Sequence, residues 1–185
     1  MKAIGISGSP HKNGNSVYLL KEVLKILESV FDTELIFLKN YVIKPCNGCQ
    51  SCDKNGKCII EDDMQKLYPK IKDSQVIILA SPSYMGGVTS RLRIFMERSW
   101  HLRKGQLDGK IGSFIVVGRR KLGAIVYEIE EYLSRLGLTK LPGVTGFALK
   151  KDDILKDKEA IKDAKRLGKH ILEKFYKKDK LNELL

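Results

Sequence analysis

The chain has 185 residues, 43% of them hydrophobic, which suits one domain with a sizeable core. Its formal net charge is +12, but basic residues are spread along its length and no helix-turn-helix, zinc-finger or aromatic-basic RNA pattern accompanies them. Nucleic acid is therefore not an expected partner, and with no apolar run near the roughly 20 residues of a membrane span and no signal-peptide pattern, the expected setting is the cytoplasm.

Residues 3–7, AIGIS, form a short apolar run ending in a Gly/Ser/Pro/Asn turn, the pattern of a buried parallel strand. From residue 15 to about 31, Leu20, Val23, Leu24, Leu27 and Val30 recur at helical spacing, and ELIFL at 34–38 reads as a second strand. Residues 39–63 are rich in Pro, Asn and Gly and are placed as a loop inserted after that strand. This loop holds every cysteine of the chain: Cys46, Cys49, Cys52 and Cys58. Asp62 or Asp63 can cap a helix running through Met64, Leu67 and Ile71. VIILA at 76–80 is a third strand, followed by the loop SPSYMGG and a helix carrying Val88, Leu92, Phe95 and Met96. IGSFIVVG at 111–118 is a fourth strand and 124–136 a fourth helix. A weaker fifth strand is expected within 141–149 and a last helix over about 158–176. The final ten residues, YKKDKLNELL, end in an apolar patch that suits either docking on a neighbouring subunit or a frayed terminus.

Strands alternating with helices predict an α/β fold with a doubly wound parallel sheet. The strand order 2-1-3-4-5 puts a switch point between the first and third strands, where the loops diverge and leave a ligand crevice. The first of those loops, SGSPHKNGNS, leads directly into a helix. It offers free N–H groups, small side chains and hydroxyls, as a phosphate needs, and matches neither the Walker A nor the dinucleotide pattern. A plain strand-to-helix turn with capping Asn and Ser is the competing reading, and His11 and Lys12 can either assist a dianion or stand exposed. In the second loop, Gly86 and Gly87 allow close approach of a flat ring, against which Tyr84 and Met85 present aromatic and polarizable surface. A bland Pro/Gly loop competes there. Gly118, Arg119 and Arg120 follow the fourth strand, where a guanidinium near such a ring favours negative charge on it; solvated arginines are the alternative.

Clustered thiols in a reducing compartment serve as ligands or redox groups more often than as structural disulfides. Three cysteines spaced by two residues can wrap one side of a cubane that a fourth closes, and the Gly and Asn between them leave N–H groups for the sulfurs. Zinc and redox-switch thiols or a disulfide remain as alternatives, although zinc sites more often join two separated pairs.

GISGSPHKNGNS followed by SPSYMGGVTSRLRIFMER resembles the NAD(P)H-dependent FMN reductase superfamily. C-x2-C-x2-C-x5-C before an Asp-Asp-Met helix start is similar to the archaeal-type iron-sulfur flavoproteins. The likeness runs most clearly from residue 2 to about 98 and covers the rest in outline. It implies a flavodoxin-like domain spanning 1–185, with 39–63 as the cluster-binding insertion. By that resemblance Cys46, Cys49, Cys52 and Cys58 ligate a [4Fe-4S] cluster. Ser9, His11, Asn15 and Ser16 hold the phosphate of FMN, while Pro82, Ser83, Tyr84, Met85, Gly86 and Gly87, with Gly118 and Arg119, line its ring. It also implies homodimers or dimers of dimers.

The expected function is transfer of electrons from a ferredoxin-like one-electron donor through the cluster to FMN and on to a small-molecule acceptor. The net positive charge would steer an acidic donor. No Ser-His-Asp arrangement or paired catalytic carboxylate is evident; His11, His101 and His170 read as incidental and Trp100 as packing. Two alternatives stand beside this expectation: an NAD(P)H-dependent FMN or quinone reductase with a structural cysteine loop, and a binding module stiffened by zinc.

Overall fold

The computed structural model describes residues 1–182, with side chains up to Lys177. The apolar patch expected of the last residues lies outside the described part. In chain order the elements are β1 (Lys2–Ser7), α1 (Asn15–Leu27), β2 (Asp32–Phe37), α2 (Ser51–Asn55), α3 (Met64–Asp73) and β3 (Val76–Pro82). They continue with α4 (Ser90–Arg98), β4 (Ile111–Gly118), α5 (Ile125–Arg135), β5 (Thr139–Lys140), β6 (Val144–Phe147) and α6 (Lys158–Asn182). The sheet is parallel in the order β2-β1-β3-β4-β5, with β6 also on β4, and the fold is flavodoxin-like.

Alternation along the strands sends side chains to two cores. Ile77 and Leu79 of β3 join Ile4, Ile6, Phe114 and Val116 beneath α3, α4 and α5. Val76, Ile78 and Ala80 join Ala3, Ile111 and Ile115 beneath α1 and α6. Central strands buried on both faces explain the continuous apolar runs VIILA and IGSFIVVG.

The expected fifth strand is two pieces rather than one run. Gly112 pairs with Lys140 and Ile115 with Val144, so Leu141, Pro142 and Gly143 face only Ser113 and Phe114 of β4. The extra residue is a bulge at the one position where proline cannot donate to the ladder. Leu141 N–H still reaches Gly112 O at 2.9 Å, and Ser113 Oγ donates to Pro142 O at 3.2 Å. Sequence reading also missed α2. It buries no residue, so it carries no apolar period, and it is bounded by the left-handed residues Gln50 and Gly56.

At the bulge, a Cβ on Gly143 would fall inside the van der Waals envelope of the Phe114 ring. Gly143→Ala is expected to lower the unfolding free energy by about 1–3 kcal/mol, as overpacking does. Urea denaturation measures it, with an unchanged m-value expected.

Candidate functional site

The carboxyl ends of β1, β3, β4 and β6 and the loops that leave them enclose a cleft of about 660 Å³. Ser9, His11, Asn15, Ser16, Pro82, Ser83, Tyr84, Gly118 and Arg119 all line it. Met85, Gly86 and Gly87 do not; they form a tight turn beyond its wall. Tyr84 and Gly87 exchange two backbone hydrogen bonds of 3.0 Å, leaving the N–H groups of Met85 and Gly86 outside the pair. Met85 has φ +52 and a fully exposed side chain, a strained placement for a large apolar residue. Gly123 backs this turn so closely that a Cβ there would come 2.8 Å from the Gly86 Cα.

The phosphate-binding character of the first loop resides in the helix end and one hydroxyl. Gly14 caps α1 without a side-chain bond, and the first turn contains no acid. The N–H groups that open the helix therefore face the cleft mouth without an intrahelical acceptor, at the positive end of the dipole. Ser16 Oγ is buried with no partner. Ser9 and Asn15 differ: their side chains already hold the walls. Ser9 Oγ accepts from His11 N–H at 3.2 Å and donates to His11 O at 3.1 Å. Asn15 Nδ2 donates to Lys150 O at 2.9 Å, tying α1 to the loop after β6.

That loop supplies residues the sequence reading missed: Ala148, Leu149, Lys150 and Lys151. Their signal was positional, since they follow a strand at its carboxyl end. Lys39 was missed as well; it lines the cleft and donates to Pro10 O at 3.1 Å. With Lys12 and Arg119 these lysines make a lining that contains no Asp or Glu. An uncapped helix end, an orphaned buried hydroxyl and several cations fit a phosphate monoester; Pro82, Tyr84, Val117 and Leu149 fit an apolar body attached to it.

The cysteine loop is held from beneath by Arg98, which the sequence reading also missed. Arg98 lies three residues after Phe95 on the buried face of α4, and its side chain is 0% exposed. It pairs with Asp62, itself only 3% exposed, and donates to Lys44 O at 2.8 Å and to Ile60 O at 3.2 Å. One guanidinium thus grips the chain on both sides of the four cysteines. Asp62 also accepts from the N–H groups of Lys44 at 2.8 Å and Met64 at 2.9 Å. So Asp62, not Asp63, provides the side-chain bond that starts α3. Burial pushes the Asp62 carboxyl up, but Arg98 and these two N–H groups together hold it below the usual carboxylate range. At the rim Asp53 pairs with Arg103, which lies 4.0 Å over the Trp100 ring, and Lys104 Nζ donates to Asp53 O at 2.9 Å.

Between these anchors Cys46 and Cys49 are exposed and Cys52 and Cys58 partly buried, all as free thiols. Hydrogen bonding from Ser51 draws the Cys49 thiol down and burial pushes Cys52 up. Among the described residues no three His, Cys, Asp or Glu side chains are drawn into metal-binding geometry. The donor set itself, four thiols on one short loop clamped at both stems, fits a thiolate-bound centre. His101, beneath the loop, is buried edge-on against Tyr68 with Nδ1 unpartnered, and burial and then Lys72 push it down to about 4, so it is neutral at pH 7.

Residues 1–151 match the NADPH-dependent FMN reductase family. An iron-sulfur flavoprotein of Methanocaldococcus jannaschii is 37% identical, with 94% of this chain and 96% of that protein aligned. One from Archaeoglobus fulgidus is 35% identical over 96% of this chain and 82% of its own length. The solved NAD(P)H:quinone oxidoreductase of Methanothermobacter marburgensis shares the fold at a TM-score of 0.75 and 12% identity, over 91% of this chain and 94% of that one.

Asp62→Asn leaves the buried guanidinium without its counter-charge and is expected to cost about 3–5 kcal/mol at neutral pH. Because the folded-state pKa of Asp62 lies below its unfolded value near 3.9, this stabilisation is present above about pH 4 and is lost as pH falls through the folded value. Urea titrations of both proteins should therefore show a wide gap at pH 7 that narrows in acid.

Proposed function

Since this chain belongs to the NADPH-dependent FMN reductase family and stands there with the iron-sulfur flavoproteins, we propose that it is an FMN-containing redox protein whose cysteine loop carries a [4Fe-4S] cluster. The observation that carries the flavin half is the buried, unpartnered Ser16 hydroxyl beside an uncapped helix end, in a cleft free of acids. Ser16 Oγ and the opening N–H groups of α1 bind the phosphate, and Lys12, Lys39, Lys150 and Lys151 neutralise it. Ser9 and Asn15 keep the two phosphate walls in register through their bonds to His11 and Lys150. Pro82, Ser83, Tyr84 and Gly118 would flank the ring, and Arg119 on the cleft wall would favour negative charge on it.

FMN supplies exchange between one- and two-electron carriers, and the cluster supplies single electrons. Cys46, Cys49, Cys52 and Cys58 are the cluster's ligands, and Arg98 and Asp62 keep the two stems of their loop together. The donor is a ferredoxin-like acidic protein in the same reducing compartment, and the terminal acceptor is a small molecule. Exposed Lys44, Lys54, Lys57 and Lys104 surround the cysteine loop and support docking of an acidic donor there. The Met85 turn beyond the cleft wall, an exposed apolar point, supports a homodimer contact.

Anaerobically purified protein should contain one FMN with about four irons and four labile sulfides per chain. Flavin with neither iron nor sulfide would instead leave an NAD(P)H-dependent flavin reductase. Ser16→Ala should weaken FMN binding by about 10- to 100-fold without moving the unfolding midpoint of the flavin-free protein, read by flavin fluorescence titration.

A further inference from the structure

The Arg98 guanidinium has five N–H donors, and four are accounted for. One terminal nitrogen serves Lys44 O and Asp62 Oδ2; the other serves Ile60 O and Asp62 Oδ1. The fifth donor, Nε–H, is buried and has no partner. A buried donor left unmade is costly, so its surroundings bear on what it is for. Cys58 lies two residues before Ile60, whose carbonyl this same guanidinium binds at 3.2 Å. It is also the cysteine that packs against the core formed by α3, α4 and the sheet, whereas Cys46 and Cys49 stand in solvent. Tyr68 is engaged elsewhere: its hydroxyl donates to Arg98 O at 2.8 Å and so fixes the backbone from which the guanidinium extends.

We propose that Arg98 Nε–H is the built-in hydrogen-bond donor to the Cys58 sulfur when that sulfur is an anionic ligand, so that Arg98 governs both retention and potential of the cluster. The inference rests on the cluster reading above. A neutral thiol is a weak acceptor and leaves the donor nearly unsatisfied; a thiolate is a strong one. The same guanidinium that closes the stems of the loop therefore also recognises the charge state in which the loop is loaded. Donors to ligand sulfur stabilise the reduced, more negative centre and raise its potential. Arg98 is a positioning residue in this scheme, since it acts on the centre through Cys58.

The test compares wild-type protein, Arg98→Lys, and the double variant Arg98→Met with Asp62→Leu, each reconstituted anaerobically with iron and sulfide. The lysine variant keeps the charge opposite Asp62 but loses the planar fork, and the double variant removes both buried charges together, which usually leaves folding intact. FMN content and far-UV circular dichroism report on the fold. Iron release to a chelator and a spectroelectrochemical titration report on the cluster. Both variants should retain FMN, release iron roughly 10- to 100-fold faster than wild type, and titrate at a lower potential. Faster release at an unchanged potential would assign Arg98 to clamping the stems alone and would overturn the hydrogen bond to Cys58. Folded variants with wild-type release and potential would overturn the whole inference while leaving the cluster reading intact. Wild-type protein that takes up neither iron nor sulfide would overturn the cluster reading and this inference with it.

Discussion

The buried pair of Arg98 and Asp62 is the constraint on which the cysteine loop depends. The insertion after β2 gains little from apolar burial: α2 buries no residue and the loop around it lies largely in solvent. Its order is borrowed from α4, which Leu92, Phe95 and Met96 fasten to the sheet. Arg98 carries that rigidity to both stems at once through Lys44 O, Ile60 O and the Asp62 carboxylate. Burying two charges is costly unless nearly every donor and acceptor is matched, and here all but one are. The outer anchor of Asp53 with Arg103 and Lys104 is partly solvated and contributes less.

The cleft follows from a different constraint, the handedness and order of the parallel sheet. Right-handed crossovers place the loops after β1, β3, β4 and β6 at one edge, and the loop after β2 leaves from that edge as well. Lys39 links the two regions, because it sits in the 3-10 turn that opens the insertion and also lines the cleft. The proposed flavin and the proposed cluster therefore share one edge of one sheet. The side chains around the cleft divide into two groups. Ser9 and Asn15 are committed to shaping its walls, while the Ser16 hydroxyl has no partner and the helix end no side-chain cap.

Much of this was legible in the sequence because the signals are local. Apolar runs, helical periodicity and the Gly-rich turn after residue 7 identify the central strands, the long helices and the switch-point loops. The four cysteines within the thirteen residues from Cys46 to Cys58 mark that loop as a candidate site wherever it lies in space. The split fifth strand was not legible, since its bulge is defined only by register against Ser113 and Phe114 of β4. The hydrogen bonds of Ser9 to His11 and of Asn15 to Lys150 were not legible either, because loop closure sets those partners.

By itself the sequence determined the α/β alternation, the parallel sheet and the loops that carry the chemistry, because these depend on residue type and spacing along a short stretch of chain. Only the tertiary structure decided that Arg98 closes the cysteine loop and that Lys39 and residues 148–151 complete the cleft. It likewise decided that Ser16 and the Arg98 Nε–H remain unpartnered. Each of these depends on residues brought together from distant parts of the chain, as Arg98 is with Lys44 across 54 positions. Burial and the saturation of donors and acceptors belong to that packed arrangement, and neither is a property of any residue read alone.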